Sequence, residues 1–218
     1  MNIFALSRCP KESAQQMLNK HVVKMPTETC QMLHTNELCN EFTDKFGYEP
    51  TLAQLKQYHS DSGSILMKPA MLNHPSTIWA RQNNNNALWL FQHGVELCRE
   101  YNSRYNKEHG SFERILQTAI DYDADASEAT PVSIAMLDVY RLDKEDYFKN
   151  NPNNDEWDFV IDSYKHYYLE GKWKFAEWPQ GQMPKWWPSN HFAVKYNVGV
   201  RAYNSTNPKY PQTLLKEA

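Results

Sequence analysis

No stretch of the chain is apolar for long enough to span a bilayer, and the mean hydropathy of -0.77 agrees. Also missing are the Walker loop, the GxGxxG fingerprint, the GxSxG nucleophile turn and the HExxH zinc helix. Those absences remove the usual forms of phosphate-loop, dinucleotide, serine-hydrolase and zinc-protease chemistry. The four cysteines, Cys9, Cys30, Cys39 and Cys98, make no CxxC pair and no metal-like spacing, so a reducing, cytoplasmic compartment is expected. None of the eight histidines has another His three or four residues away, so neither a metal nor a cofactor is expected. His93 and His109 read as surface or capping residues. The N-terminal "MNIFAL" has no basic lead and no small-residue cleavage site, and reads as a first strand or buried arm rather than a signal peptide.

What is present is a globular composition. Hydrophobic residues make up 41% of 218 and there are seven Trp, enough for a proper core and too many for disorder. Charge is uneven. Residues 1–120 carry 12 basic and 11 acidic side chains, residues 121–170 carry 4 and 13, and residues 171–218 carry 7 and 2. A whole-molecule DNA footprint is therefore not evident, although a local one through the first 120 residues and the basic tail remains open.

Periodicity predicts a mainly α, compact helical single domain over residues 1–188. Residues 189–218 form an extension packed on it, with a small β-hairpin through "YNVG" or an irregular tail. A helix beginning at Pro10 or Ser13 is expected to run through "ESAQQMLNKHVVKM" and to kink or restart at Pro26. A short helix should end at Ser60–Ser64, and another should begin at Pro75 or Ser76 and carry Arg81. The four asparagines at 83–86 form a break or a cap. The strongest helix, "ALWLFQHGVELCREYNSRYNKEHG", should bury Leu88, Phe91, Val95, Cys98 and Tyr105 and stop at Gly110. "FERILQTAIDY" is a further short helix, "DADASEATPVS" an acidic loop, and "EWDFVIDSYKHYYLEGKWKFAEW" a second long helix ending near Pro179.

Three constellations could carry chemistry. His21, Lys24 and Glu28 share an edge of the first long helix. His21 and Glu28 lie about 20° apart on the wheel and roughly 10 Å apart along the axis. This edge is either a solvated margin with an i,i+4 pair worth ~0.2–0.5 kcal/mol, or one wall of an acid/base site. "NHP" (residues 73–75) is either a turn whose imidazole caps a helix or a His74 presented at a helix N-terminus. In "EYNSRYNKEH", Tyr101, Arg104 and Tyr105 could stack on bases and bind phosphate, or Tyr101 and Tyr105 could be core and Arg104 the partner of Glu100. The Trp-rich "PKWWPSN" reads as a packed lid.

The blocks "MNIFAL", "KHVVKMPTETCQML", "NHPSTIWAR", "LWLFQHGVELCREYNSRYNKEHG" and "SYKHYYLEGKWKFAEW" occur in this order. In that order they resemble a family of proteins from large lytic tailed phages without a settled activity. More distantly, the chain resembles the pyrimidine-dimer DNA glycosylases of the endonuclease V type. These have a buried N-terminal arm and a first helix with a His seven residues before a catalytic Glu, the spacing of His21 and Glu28. Asn73-His74-Pro75 resembles an element of that family's cellular members. The resemblance implies a DNA glycosylase-like enzyme acting on damaged or modified bases in the host cytoplasm. Glu28 would be the central carboxylate, His21 would help hold DNA, and the N-terminal amine of Met1 would attack the sugar. DNA or a nucleotide would be bound through Lys24, His74, Arg81, Arg104, Tyr101 and Tyr105. Two departures stand out: Thr27 and Gln31 replace the family's arginines, and Asn2 is a larger second residue than those that allow Met removal. The alternative is a non-catalytic phage protein that neutralises a host defence or takeover protein, with residues 121–170 as the contact surface.

Overall fold

Cap chemistry and buried spacing place eight α-helices along the described part of the chain. In this computed structural model the described residues are 1–187, so the expected hairpin and the extension at 189–218 lie outside them. Among the described residues there is no strand, and the mainly α expectation holds.

Helix α1 (Pro10–Gln16) starts with Pro10 in its first turn, where the missing N–H costs nothing. The expected continuous helix does not form. Met17 and Leu18 are extended and fully buried, and α2 (Asn19–Phe46) begins after them. The Asn19 N–H donates to the carbonyl of Glu177, and the Arg104 guanidinium takes the carbonyls of Gln15 and Met17. Tertiary partners thus replace the helical bonds that the break removes. Pro26 neither ends nor restarts α2, which runs on for 28 residues to a left-handed Gly47. Near the proline, the Val23 carbonyl is taken by His109 Nε2 at 3.1 Å.

Helix α3 (Leu52–Ser62) opens on a Thr51/Gln54 capping box, and α4 (Pro75–Arg81) opens on His74, whose Nδ1 accepts the Ser76 N–H. Helix α5 (Asn84–Tyr105) is capped by Asn83, so the asparagine run is a cap. It ends on a left-handed Asn106 rather than Gly110, leaving Tyr105 exposed. Its burial exceeds one stripe: beside Leu88, Phe91, Val95 and Cys98 it buries Trp89, Leu90, His93 and Leu97. Helix α5 can approach α2 closely because residue 94 is glycine. A Cβ there would lie 2.6 Å from Thr29 Cγ2. The short α6 (Phe112–Leu116) follows.

Helix α7 (Lys144–Asn150) and helix α8 (Glu156–Tyr167) open on Asp143 and Asp155 caps. The second long helix is shorter than its periodicity indicates. After Tyr167 the backbone widens into a π turn over Tyr168–Lys172 and tightens over Trp173–Phe175. Gly171 lies against the Tyr167 ring there, where a Cβ would approach to 2.6 Å. One large core joins the arm, α1, α2, α4, α5 and α8, and a smaller one gathers Leu38, Cys39, Phe42, Leu55 and Leu72. "PKWW" is the expected packed lid: Trp187 is buried and Trp186 Nε1 donates to Gln16 Oε1.

Candidate active site

Residues 1–6 form the expected buried arm, with Ile3, Phe4, Ala5 and Leu6 packed in the core. The arm runs along the α2 face that carries His21 and Glu28. Its beginning meets Glu28: Oε2 accepts the Asn2 N–H at 3.1 Å and lies 3.9 Å from the Met1 ammonium nitrogen. Further on, the Phe4 ring lies over the imidazole of His21 at 4.1 Å between centroids. The two α2 residues do share a face, but the protein's own arm covers it.

Three groups meet at the arm's start, and a fourth lies within electrostatic reach of two of them. Besides the amine and Glu28, Lys24 Nζ sits 2.7 Å from Glu28 Oε1, with the lysine largely in solvent and the carboxylate largely out of it. His74 is the fourth. Burial and the positive amine push its pKa down, and Glu28 pushes it up. Because Nδ1 is occupied by the Ser76 N–H, the proton of the neutral ring belongs on Nε2. The Met1 thioether lies 3.9 Å from Thr77 Oγ1, which ties the first residue to α4.

His21 is not part of this convergence. It is buried, lies under the tilted Phe4 ring, and is 2.7 Å from Tyr168 Oη through Nδ1. Burial, then Lys172 and Lys24, lower its pKa to about 3, so the ring is neutral. It supports the arm, and its burial keeps it from the DNA contact expected of it. Above this platform, Lys172 Nζ lies 4.5 Å from the Tyr167 ring centroid and Lys20 Nζ 4.7 Å from that of Phe175.

The predicted phosphate ligands are occupied elsewhere. The Arg104 side chain is 1% exposed and spans Met17 O, Gln15 O, Asn19 Oδ1 and Glu100. Tyr105 Oη reaches Asn19 O, and Tyr101 packs against Tyr105 and His109. This constellation clamps the α1–α2 break. Arg81 Nη1 donates to Leu72 O at 2.6 Å and fixes the loop before α4. Arg104→Ala is therefore expected to lower unfolding free energy by about 3 kcal/mol, because it strands buried carbonyls and Glu100. Urea denaturation measures this; a weakened duplex affinity at unchanged stability would instead mark a phosphate contact.

His109 caps as expected, accepting the Ser111 N–H, whereas His93 lies fully buried rather than at the surface. Among the described residues no cluster of His, Cys, Asp and Glu could hold a metal ion, and no helix is long and apolar enough to cross a membrane. Several acids of 121–170 work locally: Asp125, Asp143 and Asp155 cap helical turns, and Asp155 and Asp158 hold Arg8.

Sequence reasoning gave no structural role to Asn2, Tyr164, Tyr168 or Lys172. For Asn2 a signal existed, a lone amide in an otherwise apolar arm. The tyrosines were hidden in an aromatic-rich helix where every ring looks like core.

Residues 1–112, just over half of the chain, match the pyrimidine dimer DNA glycosylases, and the chain belongs to that family. No curated protein and no solved structure matches it. The family supports a DNA glycosylase-like function and DNA as partner.

Proposed function

We propose that the protein excises a damaged or modified base from DNA by attack of its N-terminal amine on the sugar, with Glu28 as the central carboxylate. The observation that carries this reading is the Met1 amine lying 3.9 Å from a Glu28 oxygen, in a site shared with Lys24 and His74. The resemblance of the ordered blocks to tailed-phage proteins favours action in a phage-infected cell, in the host cytoplasm.

Glu28 takes a proton from the ammonium, and the freed lone pair attacks C1′. As the N–C1′ bond forms, the bond from C1′ to the base breaks. The base leaves with the electron pair and receives the proton that Glu28 took from the amine. Having passed that proton to the departing base, Glu28 is a carboxylate again and stabilises the positive charge left on the C1′–nitrogen unit. The nitrogen then gives a second proton to O4′, and its lone pair forms the C=N bond as the C1′–O4′ bond breaks. The protonated imine results, and hydrolysis returns the amine and an abasic site. The first residue is held in the site while the Lys24 side chain stands largely in solvent, which favours the terminal amine over Lys24 as nucleophile. Lys24 Nζ, 2.7 Å from Oε1, orients the carboxylate. His74 can donate from Nε2 to an acceptor on the flipped base. Lys20, Lys24 and Lys172 give the arm's surroundings a local positive field in an otherwise acidic molecule.

The test is incubation with duplexes carrying cyclobutane pyrimidine dimers, alkylated bases or modified pyrimidines in the presence of borohydride. The expected result is a reduced covalent adduct on at least one of them, mapping to the N-terminal peptide by mass spectrometry. Neither adduct nor released base on any duplex overturns the proposal.

A further inference from the structure

We propose that Asn2 and Tyr164 are positioning residues of this site, and that the chain beyond residue 112 is a working part of it rather than an addition to it. The inference rests on the amine-and-Glu28 reading and adds what holds the amine in place.

An amide buried in an apolar arm is costly unless all its polar atoms are paired, and here they are. Asn2 Oδ1 accepts the N–H groups of Ile3 at 2.8 Å and Phe4 at 3.3 Å, curling the arm into a local side-chain turn. At Phe4 the backbone takes the left-handed region, φ 53°, which a bulky residue adopts only when its surroundings enforce it. Asn2 Nδ2 donates to Ala135 O at 2.6 Å, and Tyr164 Oη donates to Asn2 Oδ1 at 2.7 Å. The same Oη accepts the Ala135 N–H at 3.3 Å and lies 3.1 Å from Ser133 O. Asn2, Ala135 and Tyr164 therefore close a ring of hydrogen bonds, with Tyr164 fully buried.

Only an asparagine fits the ring. Its oxygen must face N–H and O–H donors while its NH₂ faces a carbonyl, and aspartate would lose the donor and bury a charge. The consequence lies at the other side of residue 2, where the backbone N–H points at Glu28 and the preceding amine sits against the same oxygen. The arm's register relative to Glu28 is thus set by Tyr164 of α8 and by residues 133–135, all outside the family match. A displacement of about 1 Å at a reacting atom costs on the order of 10²-fold in rate.

The experiment pairs Tyr164→Phe and Asn2→Leu, whose second residue is still too large to allow Met removal, with the wild type and takes two readouts. In single-turnover borohydride trapping, both variants are expected to fall ten- to a hundredfold in rate with duplex Kd within twofold. In competitive acetylation of the α-amine across pH, read on the N-terminal peptide, the variants are expected to label at least fivefold faster near neutrality. Labelling does not depend on catalysis. If the wild type traps no DNA the glycosylase reading fails, while the labelling contrast still decides whether Tyr164 and Asn2 hold the amine. Equal labelling in all three proteins overturns the positioning role, as does an unchanged trapping rate. Should the variants unfold, hydrogen exchange in the wild type decides: amides of residues 2–4 exchanging at free-peptide rates would overturn it, and protection supports it.

Discussion

Glu28→Gln is expected to abolish the trapped adduct, with single-turnover excision falling about 10²- to 10⁴-fold and duplex affinity little changed. The size follows from how much converges on this carboxylate. Oε2 faces both the Met1 amine and the Asn2 N–H, and Oε1 faces Lys24. Gln keeps one oxygen, which can still accept the Asn2 N–H and hold the arm. It loses the base that relieves the ammonium of its proton and the negative charge that steadies a sugar cation. The new amide NH₂ meets the Lys24 ammonium, donor against donor, but the lysine side chain is 69% exposed and swings into water at little cost. The substitution should therefore leave the fold intact and strike the chemistry, a separation that thermal denaturation beside the trapping assay will show. An adduct forming at the wild-type rate would remove Glu28 from the mechanism.

How legible this site was in the sequence depends on whether local or distant residues decide each feature. Caps are local. Pro75 after His74, and Asn83 ahead of the long helix, announce helix starts with chemistry confined to a few residues, and the structure begins α4 and α5 there. The α1–α2 break is not local. Periodicity runs straight through Met17 and Leu18, and the helix yields because Arg104 and Glu177, far along the chain, supply the replacement bonds. Helix α8 gives way at Tyr167, where Gly171 fits against that residue's ring. The wheel put His21 and Glu28 on one face of α2. It could not say that the arm would lie across that face, with its amine end at Glu28 and the Phe4 ring over His21. Angle on a helix is written in the spacing, whereas what covers the angle is decided by the rest of the chain. Arg104 and Arg81 illustrate the same limit. A guanidinium suited to phosphate is equally suited to orphan carbonyls, and only packing chooses between them.

Acid is expected to weaken the fold well above the range where most carboxylates titrate, because of His21 and, equally, His93. Its ring is fully buried, stacked on Trp89 at 5.0 Å, with neither nitrogen hydrogen-bonded. Burial lowers its pKa from 6.5 to about 3, and His21 falls to about 3 as well. Between those values the unfolded chain binds protons that the folded chain refuses. The stabilisation is complete above pH 6.5 and is lost progressively as pH falls toward 3. By pH 5 each of the two histidines should cost about 2 kcal/mol, seen as a drop in urea midpoint between pH 7.5 and pH 5. His93→Leu, similar in volume, separates the contributions. It should remove one histidine's share of the acid loss, and it should raise stability at pH 7.5 by about 1–3 kcal/mol, since two unpaired buried nitrogens give way to carbon. A variant with the wild-type pH slope would mean that the imidazole is protonated or hydrogen-bonded in the folded protein, and that α5 is built around a polar partner at residue 93.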